Sequence, residues 1–373
     1  MADHDIIIIG AGPAGLSTAL HLAQLAPDLA GRALILEREH HPRPKLCAGG
    51  VLPGAELTLR KLGLDMSQVA SAPVREMVLE YRGRRYVIRR NPVCFRVVRR
   101  DQFDAWLADE SRARGLRLEE GVRVRGLGRR GGLIEVVTDQ GSYRARVVVG
   151  ADGANSVVRK SISRQHIPQM ARLLEVHIPD GRPEPPQQHA LFDFSRIAEG
   201  LQGYFWDFPS PAAPSSGAMR TCGVYDSRVL SAMPRSSLKD ALKEGMARQN
   251  KRLEDYTLEG HPFRWFHRRA PISAPQVLLV GDAAGSDPVV GEGISFALGY
   301  GEAAAGALQD AFARDDFAFA SYRRRLLRHR SGRYLRRRAV GAHLLYGLRS
   351  RFLLRLLWPL IGWLAEHVMI DWG

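Results

Sequence analysis

The chain has 373 residues, 45% of them hydrophobic and 25% charged, which is enough apolar material for a folded core and excludes a wholly disordered polymer. A formal charge of +15 points to polyanions, yet only six of the 54 basic residues are Lys and the Arg residues are spread along most of the chain, which argues against nucleic acid. Three cysteines, Cys47, Cys94 and Cys222, give neither a paired framework nor a metal-ligand spacing, so a disulfide scaffold and a zinc site lack support and a reducing compartment fits.

Asp5 opens directly into the apolar run Ile6 to Ile9, with no room for a secretory leader; this run predicts a buried strand. Pro13 then starts a helix over 13–26, because its fixed dihedral suits a first helical position. A second strand is expected at 33–37, a helical segment at 55–63, strands at 74–81 and 85–90 joined by a turn at Arg82 to Arg84, and an amphipathic helix at 101–114. In that helix Phe103, Trp106 and Leu107 share the apolar face, with Asp104, Glu110 and Arg112 elsewhere. Strands follow at 122–125, 133–138 and 143–149. From 165 to 275 helix signals thin out and prolines cluster at 183–186 and 208–214, so a mostly sheet segment with one helix near 236–249 is expected. A strand at 277–280 then runs into another Gly-rich helix start.

Four stretches carry a Gly-rich or acidic turn signal, and three of them carry chemistry. Gly10, Gly12 and Gly15, with Pro13 and Ala14 between them, form Gly-x-Gly-x-x-Gly after a strand and before a helix. Here Gly10 allows the tight turn, Gly12 lets the backbone approach a pyrophosphate and Gly15 lets the helix pack on the strand. The helix N-terminus offers free amides to phosphate, and Glu37, followed by Arg38, stands where a carboxylate takes ribose hydroxyls. A second match, Gly126 to Gly131, opens no helix and reads as a turn between strands. The third stretch ends an apolar strand in Asp152-Gly153. The fourth, Gly281-Asp282, continues through Pro288 and Gly291-Glu292-Gly293-Ile294, where Asp282 could hold a ribityl chain and a helix start could point amides at a flavin's pyrimidine edge. In this order the stretches indicate FAD, with no second dinucleotide domain, so NAD(P)H or another electron donor is expected to bind only transiently.

The set resembles the para-hydroxybenzoate hydroxylase superfamily of FAD enzymes and, within it, the geranylgeranyl reductase family. Lys45, Cys47, Ala48, Gly49 and Gly50 resemble that family's Lys-x-Cys-Gly-Gly segment, and Tyr204-Phe205-Trp206-Asp207-Phe208-Pro209 its Tyr-x-Trp-x-Phe-Pro signature. Arg100 opens a segment similar to the superfamily's Arg-bearing helix start, whose Arg contacts FAD. Ala48 departs from the family's usual Gly, and Ser210 from its usual Lys. The resemblance implies a Rossmann-like α/β cofactor domain, discontinuous over 1–72, 96–162 and 272–321, and a mostly antiparallel α+β substrate domain over 73–95 and 163–271. It also implies reduction of double bonds in long isoprenoids, with Lys45, Ala48, Gly49 and Arg100 at the cofactor. Cys47 is either a proton donor at the flavin or a small packing residue. Tyr204, Trp206 and Phe208 alternate at strand period and so share a face, which is either a wall for a prenyl chain or sheet core. A flavin monooxygenase of an aromatic or polyketide-like substrate is the alternative, and a non-redox FAD-containing cyclase or flavin-binding protein a weaker one.

Residues 322–373 read as helical, basic and apolar. Pro359 and the charges at Arg355, Glu366 and His367 interrupt the apolar run, so the segment is either an interfacial helix on an anionic membrane or a helix docked on its own domain. The expected location is cytoplasmic, peripheral on the inner face of a membrane.

Overall fold

The computed structural model describes residues 3–163, 170–180, 188–213, 217–231 and 235–373. The proline cluster at 183–186 lies outside them. The helices in chain order are α1 (Pro13–Leu25), α2 (Pro27–Ala30), α3 (Pro53–Lys61), α4 (Arg100–Ala113), α5 (Val157–Ile162), α6 (Leu238–Ala247), α7 (Ile294–Arg314), α8 (Tyr322–Arg328), α9 (Arg330–Gly347) and α10 (Arg351–Leu364).

Five strands pair in parallel, in the order Val277–Leu279, Ser142–Gly150, Asp3–Ile9, Ala33–Leu36 and Arg117–Glu119. The central part of this sheet is apolar on both faces because helices cover both sides, and Ile6, Ile7 and Ile8 are wholly buried. α1 and α7 pack closely: a Cβ on Gly301 would come within 2.3 Å of Ser17 Oγ, and that hydroxyl donates to the Leu298 carbonyl at 2.8 Å. The hairpin of Val124–Arg130 and Leu133–Thr138 adds to this sheet through Ser142–Gly150. Gly126 to Arg130 are therefore strand, and only Gly131 and Gly132, both at positive φ, make the turn. The expected turn was drawn too long, since cross-strand pairing carries the glycines at 126 and 128.

A second sheet of seven strands runs in the order Glu259–Arg264, Met170–Pro179, Gly217–Asp226, Gly203–Ala213, His189–Asp193, Glu76–Tyr81 and Arg84–Arg89. Its pairs are antiparallel except His189–Asp193 with Glu76–Tyr81. This mixed α/β architecture is the one expected of the para-hydroxybenzoate hydroxylase type.

Of the C-terminal helices, α8 and α9 pack on α7, and α10 docks on the second sheet. α10 turns Leu354, Trp358 and Gly362 inward at a spacing of four. Trp358 is buried against Tyr81 and Phe194, and its indole N–H donates to the Leu79 carbonyl at 3.0 Å. Gly362 allows contact with Tyr86, because a Cβ there would fall 2.2 Å from the ring. Pro359 does not end the helix as expected. It lies on the outward face, so the backbone acceptor it leaves unbonded is not trapped in the core. The outward face keeps its exposed leucines and aromatics.

Trp358→Ala should lower stability by about 3–5 kcal/mol, the usual cost of emptying a buried aromatic site, and thermal unfolding followed by near-UV circular dichroism would measure it.

Candidate active site

A cavity of about 1040 Å³ is lined from both sheets. Gly10, Gly12, Pro13 and Ala14 from the first turn line it, as do Glu37 and Arg38 beyond the second strand. So do Lys45, Cys47, Ala48, Gly49 and Arg100, then Asp152, Gly153, Gly281 and Asp282, and finally Gly291 to Ile294. Tyr204, Trp206 and Phe208 line the part against the second sheet. Two predicted residues do not line it. Gly15 stands behind the first turn, and Pro288 is buried in the loop before Gly291.

The motifs that are far apart in sequence meet through backbone contacts that a larger residue would block. A Cβ on Gly15 would lie 1.9 Å from the Gly10 carbonyl oxygen. At Gly10, which has φ +107°, it would lie 2.5 Å from the Ala151 carbonyl oxygen, and at Gly281 2.7 Å from Ala14 Cβ. Gly12 is different, because its open side meets nothing closer than an Arg43 nitrogen at 3.6 Å. α1 has no side-chain cap, so its first amides are free for an anion. Gly49 has φ +77° and the Val98 carbonyl oxygen only 2.1 Å from a would-be Cβ, whereas Ala48 has no positive φ. The replacement of Gly by Ala at 48 is thus sterically allowed, and the strict requirement falls on 49.

Glu37 is buried and does more than the motif implies: one carboxylate oxygen accepts from the Ala11 amide at 2.8 Å and the other from the Glu39 amide at 3.2 Å. Asp152 likewise accepts from the amides of Val157 and Val158 at 2.6 and 3.1 Å, capping α5. Arg100 chelates Asp104 with two bonds of 2.8 Å. Asp104, expected on the polar side of its helix, is fully buried and also lies 3.4 Å from Arg43. The reason is compensation by two guanidinium groups, which apolar periodicity does not reveal. Arg43 was missed as well. Its buried Nε has no acceptor among the described residues, which suits a ligand oxygen.

At the boundary between the glycine cradle and the aromatic wall stand Lys45, Cys47 and His261. Cys47 Sγ accepts from the Gly49 amide at 3.4 Å. Burial opposes the charge on Arg100, yet Asp104 and a hydrogen bond with Cys47 hold that guanidinium firmly protonated. Lys45 Nζ touches His261 Nε2. Burial and the neighbouring Arg100 bring Lys45 down to about 8, with Asp282 acting the other way, while burial and Lys45 press His261 down to about 4. The imidazole is therefore neutral near pH 7 and accepts a hydrogen bond from the lysine. Burial also raises Asp282, opposed by Lys45, Arg100 and Arg264.

The loop after Ser286 is held from three elements. Asp287 accepts from the amides of Val289, Val290 and Glu292 at 2.8, 3.1 and 3.3 Å. The hydroxyls of Tyr204 and Tyr225 donate to the carbonyls of Val290 and Asp287, and that of Tyr346 to the Val289 carbonyl. Arg338 of α9 reaches in to bridge Asp287 at 2.8 Å and Glu292 at 2.5 Å. Burial pushes Glu292 up and Arg338 opposes it. Asp287 and Arg338 carry no local motif, and only their distant pairing shows their role. Among the described residues the amides of Gly291, Gly293 and Ile294 are left without a protein acceptor.

The uncapped start of α1, the glycine cradle, the unpaired Arg43 nitrogen and these three amides fit FAD: anion donors at one end, and hydrogen-bond donors at the other for the flavin's pyrimidine edge. The comparisons agree. The FAD binding domain family matches residues 3–301, and the chain belongs to that family of FAD-dependent oxidoreductases. The digeranylgeranylglycerophospholipid reductase of Methanosarcina acetivorans is 26% identical over 337 residues, covering 84% of this chain and 77% of the relative. Protein FixC of Salmonella typhimurium is also 26% identical, over 346 residues, 84% of this chain and 78% of the relative. A geranylgeranyl bacteriochlorophyll reductase-like structure from Thermoplasma acidophilum superposes with a TM-score of 0.80 at 22% identity, covering 97% and 92% of the two chains. The flavin-dependent brominase Bmp2 superposes at 0.72 and 20% identity, covering 98% and 91%. The Lys45 to Gly50 and Tyr204 to Pro209 segments are similar to those of the geranylgeranyl reductases, and a lipid reductase is among the relatives.

Two outcomes are expected. Arg338→Met leaves Asp287 and Glu292 as uncompensated buried carboxylates and should cost about 3–5 kcal/mol, with weaker FAD retention, read by urea unfolding and by flavin absorbance after gel filtration. The unfolded chain takes up a proton at His261 between pH 6.5 and about 4 that the folded protein refuses. Stability linked to this group is therefore complete above pH 6.5 and falls as pH drops toward 4. His261→Gln should flatten that slope in unfolding curves taken across the window.

Proposed function

We propose that the protein reduces carbon–carbon double bonds in a long isoprenoid, such as a prenyl lipid or a quinone side chain, as a cytoplasmic enzyme working at the membrane that carries it. The observation that carries this reading is the continuity of the glycine cradle with an apolar chamber walled by Tyr204, Trp206 and Phe208, with Cys47 at the join. The lipid reductase among its relatives supports the same substrate class.

In this reading segments 1–72, 96–162 and 272–321 hold the cofactor, and 73–95 with 163–271 hold the substrate. Bound and reduced, FAD supplies a hydride to one alkene carbon. The protein must hold the chain, exclude water and deliver a proton to the other carbon. A cluster of tilted rings does the first two: Trp206 lies against Tyr204 and Phe208, and Phe192 against both of these. Gly223 makes room for the indole, since a Cβ there would fall 2.2 Å from it. Cys47 S–H is the proposed proton donor. As its S–H bond breaks and the C–H bond forms, the Arg100 charge beside it stabilises the thiolate, which regains a proton from solvent. Electrons arrive from NAD(P)H or another donor bound transiently.

Purified holoenzyme with dithionite and a geranylgeranyl lipid should give products heavier by two hydrogens or multiples of two in mass spectrometry. An oxygenated product formed only in air, with no saturated product, would sink the reductase reading in favour of a monooxygenase. Cys47→Ala should keep its flavin and lower turnover by about 10²-fold or more, the range of general acid catalysis, with flavin reoxidation by the alkene as the readout.

A further inference from the structure

Between residues 317 and 365 the chain carries twelve arginines and no acidic residue. On the surface these residues form two adjoining features. One is an apolar strip from α9 and α10: Leu344 is 71% exposed, Phe352 73%, Leu356 54%, Leu360 52% and Trp363 47%. The other is a set of exposed arginines, Arg333, Arg336 and Arg337 on α9 and Arg349, Arg351 and Arg355 around the start of α10. Among the described residues most of these have no carboxylate partner; Arg351 lies 3.5 Å from Glu199.

The strip is also the mouth of the substrate chamber. Leu344, Leu357, Leu360 and Leu364 are exposed and at the same time line the cavity, together with the more enclosed Leu345 and Ile361. An opening toward water would expose the chamber and much of an apolar substrate. Leucine rows on both sides of an opening are instead compatible with hydrocarbon.

α10 belongs to the one helical stretch among the described residues, Arg351–Met369, that has the length and composition to cross a membrane. Its inner stripe is fixed to the second sheet through Leu354, Trp358 and Gly362, so it cannot leave the protein to span without giving up those contacts. A helix of 14 residues, about 21 Å long, with one face on the protein and the other apolar and flanked by Arg, is built to lie in the plane of an interface.

We infer that α9 and α10 seat the protein on an anionic bilayer, with the leucine rim immersed among the acyl chains, and that the prenyl chain passes sideways from the bilayer through the gap between these helices into the chamber. The bilayer is chosen over a protein partner because the strip is paired with uncompensated positive charge and is continuous with a chamber proposed to hold lipid. The route rests on the proposed prenyl substrate; the seating does not.

The test uses holoenzyme and sedimentation with vesicles of phosphatidylcholine, with and without phosphatidylglycerol. Binding should require the anionic lipid and weaken with salt. The variant Phe352→Ser/Leu356→Ser/Trp363→Ser, whose three positions lie outside the cavity lining, should bind roughly tenfold or more weakly. It should keep its flavin content and its rate on a short water-soluble prenyl alcohol, while losing activity on lipid held in vesicles. Equal binding of parent and variant would overturn the seating. So would a dimer in light scattering that dissociates in the variant without any vesicle binding by the parent, since a second copy would then cover the strip. Vesicle binding without reduction of any prenyl compound would leave the seating in place and remove both the route and the proposed substrate. Leu344→Glu tests the route itself: it should raise KM for vesicle-held lipid more than for the short alcohol, and equal changes for both would overturn sideways entry.

Discussion

The arrangement depends on how closely three pieces of backbone approach one another at the end of the parallel sheet. The Gly10 carbonyl, the Ala151 carbonyl and the start of α1 are near enough that a single methyl group at Gly10 or Gly15 would overlap them. That closeness places the N-terminus of α1 at the cavity floor. It also fixes Ala14 against Gly281, and so brings the stretch after Val277–Leu279 to the same place. Backbone contacts of this kind cannot be relieved by a change of rotamer, so the cofactor cradle is rigid before any ligand arrives.

On this rigid floor the charges are arranged in buried sets that compensate one another. Arg43, Arg100, Glu37 and Asp104 form one set, Lys45, His261 and Asp282 another, and Asp287, Glu292 and Arg338 a third. Each contains at least one cation against a carboxylate, the condition under which ionised groups persist out of water. In the second set burial lowers the proton affinity of both Lys45 and His261, and near pH 7 the lysine keeps its proton and donates a hydrogen bond to the neutral imidazole.

The parts of the fold that were legible in the sequence are those governed by local geometry. The Ile6 to Ile9 run, the glycines of the first turn, Pro13 at a helix start and the alternation of Tyr204, Trp206 and Phe208 all act within a few residues, and the structure has a strand, a turn and a helix where they imply them. Ala48 and Pro359 show the limit of such reasoning, because whether a residue is tolerated depends on φ at one position and on which way a helix faces at the other. Asp104 looked like surface because the two arginines that allow its burial lie four residues away in one case and 61 in the other. Arg338 was invisible for the same reason: its partners are 51 and 46 residues earlier, and nothing in an Arg-rich helix distinguishes it from its exposed neighbours Arg336 and Arg337. The tail held two alternatives, docked or interfacial, because a single amphipathic pattern does not say what each face meets; in the structure one face of α10 meets the second sheet and the other stays open.

The contact between Arg338 and the 287–292 loop also changes how the chain divides into parts. By motif, everything needed to hold a flavin ends near residue 310. By electrostatics it does not, because the counter-charge for two buried carboxylates beside the cavity comes from α9, and the Tyr346 hydroxyl on the Val289 carbonyl comes from the same helix. α9 is therefore part of the electroneutrality of the loop beside the cavity and cannot be regarded as an appended anchor. Because α9 also contributes Leu344 and Leu345 to the cavity wall, one helix carries both an apolar stretch of that wall and the counter-charge of the loop beside it, so a change in one cannot be made without touching the element that holds the other.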